Sequence, residues 1–212
     1  MAGPGAVLAV GTSLVGHLGR RNELAAPAAR APASFELLGS GQLGTVAVPE
    51  SRALVTFWLF RIGIDPATRN RPLPPRGLPR TADAEPAFPL GLELHYLVTA
   101  WAANALAEHT ALAWTMRELH HHPLFEAGTL DPAGEWHADE AVAVVPMELA
   151  PEEMMRLWDA IEPAYRLSVA YCARVVRLDR TVRPLGPPVV ATRFAFGRLI
   201  EELGVEEVPH GR

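Results

Sequence analysis

The chain reads as an α/β (α+β) protein, in which strands and helices are followed by a C-terminal extension. Three observations predict this. Ala53 to Ile64 is the most apolar run and holds Val55, Phe57, Trp58, Leu59, Phe60 and Ile62. Such a run suits a central strand covered on both faces. Leu92, Leu94, Tyr96 and Val98 alternate with Glu93, His95, Leu97 and Thr99, the pattern of a strand with one wetter face. Between Ala105 and His120, Leu112, Met116 and Leu119 recur at helical spacing and mark an inner stripe.

The remaining elements follow in chain order. Val7, Leu8, Leu14, Val15 and Leu18 predict an N-terminal helix ending near Asn22, weakened by Gly11, Gly16 and Gly19. An Ala/Pro stretch covers Ala25 to Ala33. Phe35–Leu38 and Thr45–Val48 read as two short strands around a glycine-rich turn. Asp65 to Pro89 is the longest loop and carries Arg69, Arg71, Arg76 and Arg80. His120, His121 and His122 close the helix that begins near Ala105, and Pro123 stops it. Ala141–Leu149 predicts another strand. Ala150-Pro151-Glu152-Glu153 is a strong helix start, with proline at the first position and carboxylates at the positive end of the dipole. Met154, Trp158 and Ile161 form that helix's buried stripe, and Pro163 ends it. Leu167–Leu178 is the last long strand. Beyond Arg180 come a Pro-rich joint, an alternating segment from Val189 to Phe196 and an acidic tail. The expected division is therefore a domain over 1–180 and an extension over 181–212.

Composition narrows the function. With 212 residues, 49% of them apolar, the chain can fill one core. A net charge of −5 argues against nucleic acid as a partner, because phosphate binding needs a concentrated basic surface. Cys172 is the single cysteine, so no disulfide forms within the chain, in keeping with a reducing compartment. In the opening MAGPGAVLAVGTSLVGHLGRR the charges follow the apolar stretch, unlike a signal peptide. No apolar run approaches the roughly 20 residues that span a bilayer. The expectation is a cytoplasmic origin without direct membrane insertion.

The motifs point away from chemistry. Gly39-Ser40-Gly41-Gln42-Leu43-Gly44 matches the dinucleotide fingerprint, yet β-prone Thr45-Val46-Ala47-Val48 follows where a helix would have to open. A hairpin connection accounts for it better. Three adjacent histidines point about 100° apart on a helix and cannot all face one ion. They suit the negative helix end as partial cations. Cys172 lies in a strand pattern with no fixed histidine partner visible in sequence, the setting of a small buried side chain. Trp58, Trp101, Trp114 and Trp158 read as core and interface aromatics. No catalytic, cofactor-binding or metal-binding residue is assigned.

Several phrases together resemble one family. They are Leu92 to Ala102 (LELHYLVTAWA), Glu108-His109, Arg117 to Pro123 (RELHHHP) and Trp158 to Val169 (WDAIEPAYRLSV), joined by Phe57-Trp58-Leu59-Phe60 and the start of the loop after Asp65. They are similar to the cap, or tail-terminator, proteins of extracellular contractile injection systems. The resemblance covers roughly residues 5 to 180. It implies an α/β subunit with helices packed on a mostly antiparallel or mixed sheet, and a six-fold ring of identical chains seated on the last ring of the inner tube and touching the last sheath ring. The ring would stop growth of both and anchor the sheath, without chemistry. Other readings are a small-molecule-binding or enzymatic α/β domain using the Trp58 and His120 region, or another adaptor or baseplate part. Two candidate interfaces accompany the cap reading. Arg69, Arg71, Arg76 and Arg80 could meet carboxylates on a neighbour. Val189, Val190, Thr192, Phe194 and Phe196 lie in an alternating segment that could pair with another chain or with the protein's own sheet edge.

Overall fold

The computed structural model describes residues 2–25, 31, 33–66, 90–161 and 164–178. One six-stranded sheet organises them, in the order β1-β2-β3-β6-β5-β4. The strands are β1 (Ala33–Leu38), β2 (Ala53–Ile64), β3 (Leu90–Trp101), β4 (Leu124–Glu126), β5 (Ala141–Met147) and β6 (Ser168–Leu178). β1 runs parallel to β2, and every other neighbouring pair is antiparallel. The helices are α1 (Ala6–Leu24), α2 (Ala105–His121) and α3 (Pro151–Asp159). This is the mixed sheet packed with helices that the family resemblance implies.

α1 and α2 lie on one face. Val10, Leu14 and Leu18 of α1, with Leu112, Trp114 and Leu119 of α2, join Val55, Phe57, Leu94, Tyr96, Val98 and Val144 in the larger core. At Gly11 the helix presses close to β1: an added Cβ would stand 2.7 Å from a Leu37 methyl. That glycine weakens the helix locally but permits the packing. Asn22 closes the α1–β1 connection. Its side chain donates to the carbonyls of Ala31 and Ala33 and accepts from the Ala31 amide. Arg21 reaches from α1 to buried Glu118 of α2, at 3.2 Å.

The opposite face has a smaller core: Leu38, Leu43, Leu54, Leu97, Trp101 and Trp158, flanked by Trp58, Phe60, Met154 and Ile161. α3 supplies Trp158, and its proline start with Glu152 and Glu153 is as expected. The Asn104 side chain caps α2, accepting from the Ala107 amide at 3.0 Å.

Several sequence expectations need correction. Thr45–Val48 is not a strand; residues 43–45 form a short 3-10 turn, whose Leu43 is buried in the smaller core. The glycine-rich segment is therefore no hairpin, since β1 and β2 run parallel and the chain must cross over between them. Leu8 is 66% exposed, and the buried α1 stripe runs through Val10, Leu14 and Leu18 instead. Met116 is 38% exposed while Leu112 and Leu119 are buried, because α2 turns Ala111, Thr115 and Glu118 inward beside them. The alternating face of β3 is wet only at Glu93: His95, Leu97 and Thr99 are all buried, because the second layer covers them. β2, conversely, is covered only over its first half, and Ile62 and Ile64 emerge into solvent. The short strand β4 has no clear sequence signal, being three residues that pair only with the edge of β5.

Candidate functional site

The tryptophans sort by layer. Trp101 donates its indole N–H to Thr56 Oγ1 at 2.9 Å, both fully buried. Its ring meets Trp158 edge-on at 6.1 Å, and Trp158 meets Tyr165 at 6.0 Å. The Arg166 guanidinium lies 5.7 Å from the Trp101 ring centre. Trp114 packs on Phe35 on the opposite face. Trp58 belongs to the smaller core, whereas His120 ends α2, the helix packed into the larger one. The Trp58 and His120 regions thus flank opposite faces of the sheet.

The glycine-rich segment makes no phosphate cradle that a following helix would complete. Gln42 folds back so that its side-chain oxygen accepts from the Gly39 amide at 2.8 Å, and a three-residue 3-10 turn follows. In the histidine run, His120 and His121 are exposed with their rings 6.1 Å apart. His122 turns toward His17 of α1, at 5.4 Å. Burial, then the neighbouring His122 and two α1 arginines, hold the His17 imidazole below its ordinary value. Among the described residues the run joins no group of three metal donors.

One cluster escaped sequence reasoning. His95 and Cys172 are direct partners across β3 and β6, and Glu93 is two residues from His95 on the same face. Burial, then the nearby Glu93 carboxylate, raises the Cys172 thiol, partly opposed by Arg174. No spacing rule couples residues 95 and 172; only strand register brings them together.

Apolar side chains also reach the surface. Leu8, Ile62, Ile64 and Leu106 are more than half exposed. A groove of about 550 Å³ beside α1 and β1 is lined by Val7, Leu8, Leu37, Leu38, Leu59 and Tyr96, among others. Arg69, Arg71, Arg76, Arg80, Val189, Val190, Thr192, Phe194 and Phe196 lie outside the described residues. No described helix is long and apolar enough to cross a membrane.

The family model of the Pvc16 N-terminal domain matches residues 20–192. The chain belongs to that family. The match agrees with the resemblance drawn from the β3, α2 and α3–β6 phrases. Among solved structures, the family chain is similar to a sheath/tube terminator of an extracellular contractile injection system, PVC, in its extended state. There the identity is 18%, the overlap covers 94% of this chain and 72% of that one, and the TM-score is 0.54. It also overlaps more loosely with the tube-terminating cap of the anti-feeding prophage, at 17% identity, 70% of this chain, 52% of that one and a TM-score of 0.42. No curated protein matches the sequence.

Proposed function

We propose that this protein is a structural cap of a contractile injection system. Six copies form a ring that ends the inner tube and anchors the last ring of sheath. The observation that carries the reading is the shared fold with a sheath/tube terminator, extending over 94% of the chain. Family membership and the separation of Trp58 from His120 on opposite sheet faces favour it over an enzymatic domain.

The task needs surfaces, not catalysis. A closed ring requires one head-to-tail interface whose rotation closes. Termination requires one side that matches a tube subunit and another that offers no such match. Exposed Leu8, Ile62, Ile64 and Leu106 are apolar anchors of the kind such contacts use. The arginines Arg69, Arg71, Arg76 and Arg80 serve as docking cations for a neighbour or the tube. The Val189–Phe196 segment, in the extension over 181–212, pairs with an adjacent chain, most simply the terminal sheath ring. Assembly takes place in the cytoplasm.

Cryo-electron micrographs of particles assembled with and without this chain test the reading. Tubes of uncontrolled length and poorly held sheath are expected in its absence, with a ring at the tube end when it is restored. Particles of normal length and sheath retention without it would overturn the proposal. Native mass measurement of the tube-bound complex should report six copies.

A further inference from the structure

The register of β3 against β6 assembles three metal-ligating side chains on the face that carries α3. A Glu93 carboxylate oxygen, a His95 ring nitrogen and Cys172 Sγ all lie within 4.8 Å of one another. His95 Nε2 stands 3.7 Å from Glu93 Oε2, too far for a hydrogen bond. His95 is only 7% exposed, yet both of its ring nitrogens are buried without a hydrogen-bond partner. A buried polar group left unsatisfied is costly and calls for a partner. Phe60 meets the imidazole edge-on at 6.0 Å and offers none.

Room for a partner exists beside these groups. Gly63 is the cross-strand partner of Glu93 and has no side chain; a Cβ there would stand 3.4 Å from His95 Nε2 and 3.7 Å from Glu93 Oε2. Irregular register brackets the spot on both sides. β2 slips against β3 between Leu59 and Arg61, and β3 slips against β6 between Leu92 and Leu94. Bulges of this kind re-aim side chains next to functional sites.

We propose that Glu93, His95 and Cys172 form a zinc-class metal site, with water completing a tetrahedron. The mixed oxygen, nitrogen and sulfur set suits a borderline divalent ion such as zinc. Tetrahedral zinc bonds place donors about 3.4–3.7 Å apart. The carboxylate–imidazole spacing is already near that, and Cys172 closes by a small side-chain movement. Binding displaces the thiol proton to solvent; thiolate and carboxylate then balance the ion's two charges. The ion supplies the partner that His95 lacks and ties β3 to β6. The arginines nearby, Arg61 and Arg174, are exposed and outside the donor set. This site uses neither the histidine run nor a cysteine pair, the two features on which the sequence-based expectation of no metal rests.

The test uses the purified full chain, stripped of metal and titrated with zinc by calorimetry and with cobalt by absorption. One equivalent per chain is expected, with a thiolate-to-cobalt charge-transfer band and a raised melting temperature. Cys172→Ser should abolish the band, and Glu93→Gln should weaken binding at least about tenfold. Glu93 is partly exposed, so its variant reports even if the Cys172 variant fails to fold. A His120→Ala/His121→Ala variant should bind normally. Absence of stoichiometric binding overturns the proposal. So does binding that survives Glu93→Gln unchanged and disappears with the histidine-run variant.

Discussion

The two faces of the sheet are built by different means. On one, α1 and α2 lay aliphatic stripes across the strands, and Val10, Leu14, Leu18, Leu94 and Val98 leave almost nothing exposed. On the other, a nine-residue helix and a short 3-10 turn cover a smaller cluster in which polar atoms are mixed with rings. Thr56 bonds Trp101 there, while the His95 ring nitrogens and the Trp158 indole nitrogen have no hydrogen-bond partner. The first face holds the fold together mainly by area, though His17 Nε2 on α1 is also buried without a hydrogen-bond partner. The second spends some of that stability on oriented polar groups, which is where a bound ion has something to add.

The largest expected effect tests the first face. Leu94→Ala should cost about 2–5 kcal/mol, because the residue is fully buried and its neighbours cannot close the cavity. Urea unfolding measures it. A loss below 1 kcal/mol would mean that the α1–α2 layer is not the main core.

Thr56→Val probes the second face with little change of shape. It removes the acceptor of the Trp101 N–H and leaves that donor buried, at a cost of about 1–3 kcal/mol. An unchanged unfolding midpoint would show that this hydrogen bond contributes nothing and that the two faces differ less than their chemistry suggests.

A third prediction sharpens the boundary of the first face along one helix. Leu112→Ala should destabilise strongly, whereas Met116→Ala, one turn later and 38% exposed, should cost less than about 1 kcal/mol. Equal melting temperatures for the two variants would restore Met116 to the inner stripe.

The smallest effect belongs to the seam between α1 and α2. His17 is held below its ordinary value of 6.5, so the fold favours its neutral form. The unfolded chain takes up this proton first as pH falls. The stabilising contribution is therefore complete above about pH 6.5 and is lost as pH drops through the lowered folded value. His17→Gln should flatten that part of the stability–pH curve. An identical acid slope in both proteins would assign it to other groups.

Local chemistry determined much of this protein. Apolar, β-prone runs placed β2, β3 and β6 because such side chains pack well on a pleated surface. Pro151 with Glu152 and Glu153 placed the start of α3 through backbone restriction and charge at the dipole. The phrases along β3, α2 and α3–β6 carried the family. Tertiary structure decided which face each residue meets. Leu8 and Met116 look like core by periodicity but lie outward, because exposure depends on where the next layer ends. Val46 and Val48 have strand propensity, yet no neighbour pairs with them, and the chain crosses over the sheet instead. His95 and Cys172 are ordinary in sequence and become a pair only through the β3–β6 register. Periodicity describes one chain segment at a time, whereas a site of this kind exists only between segments.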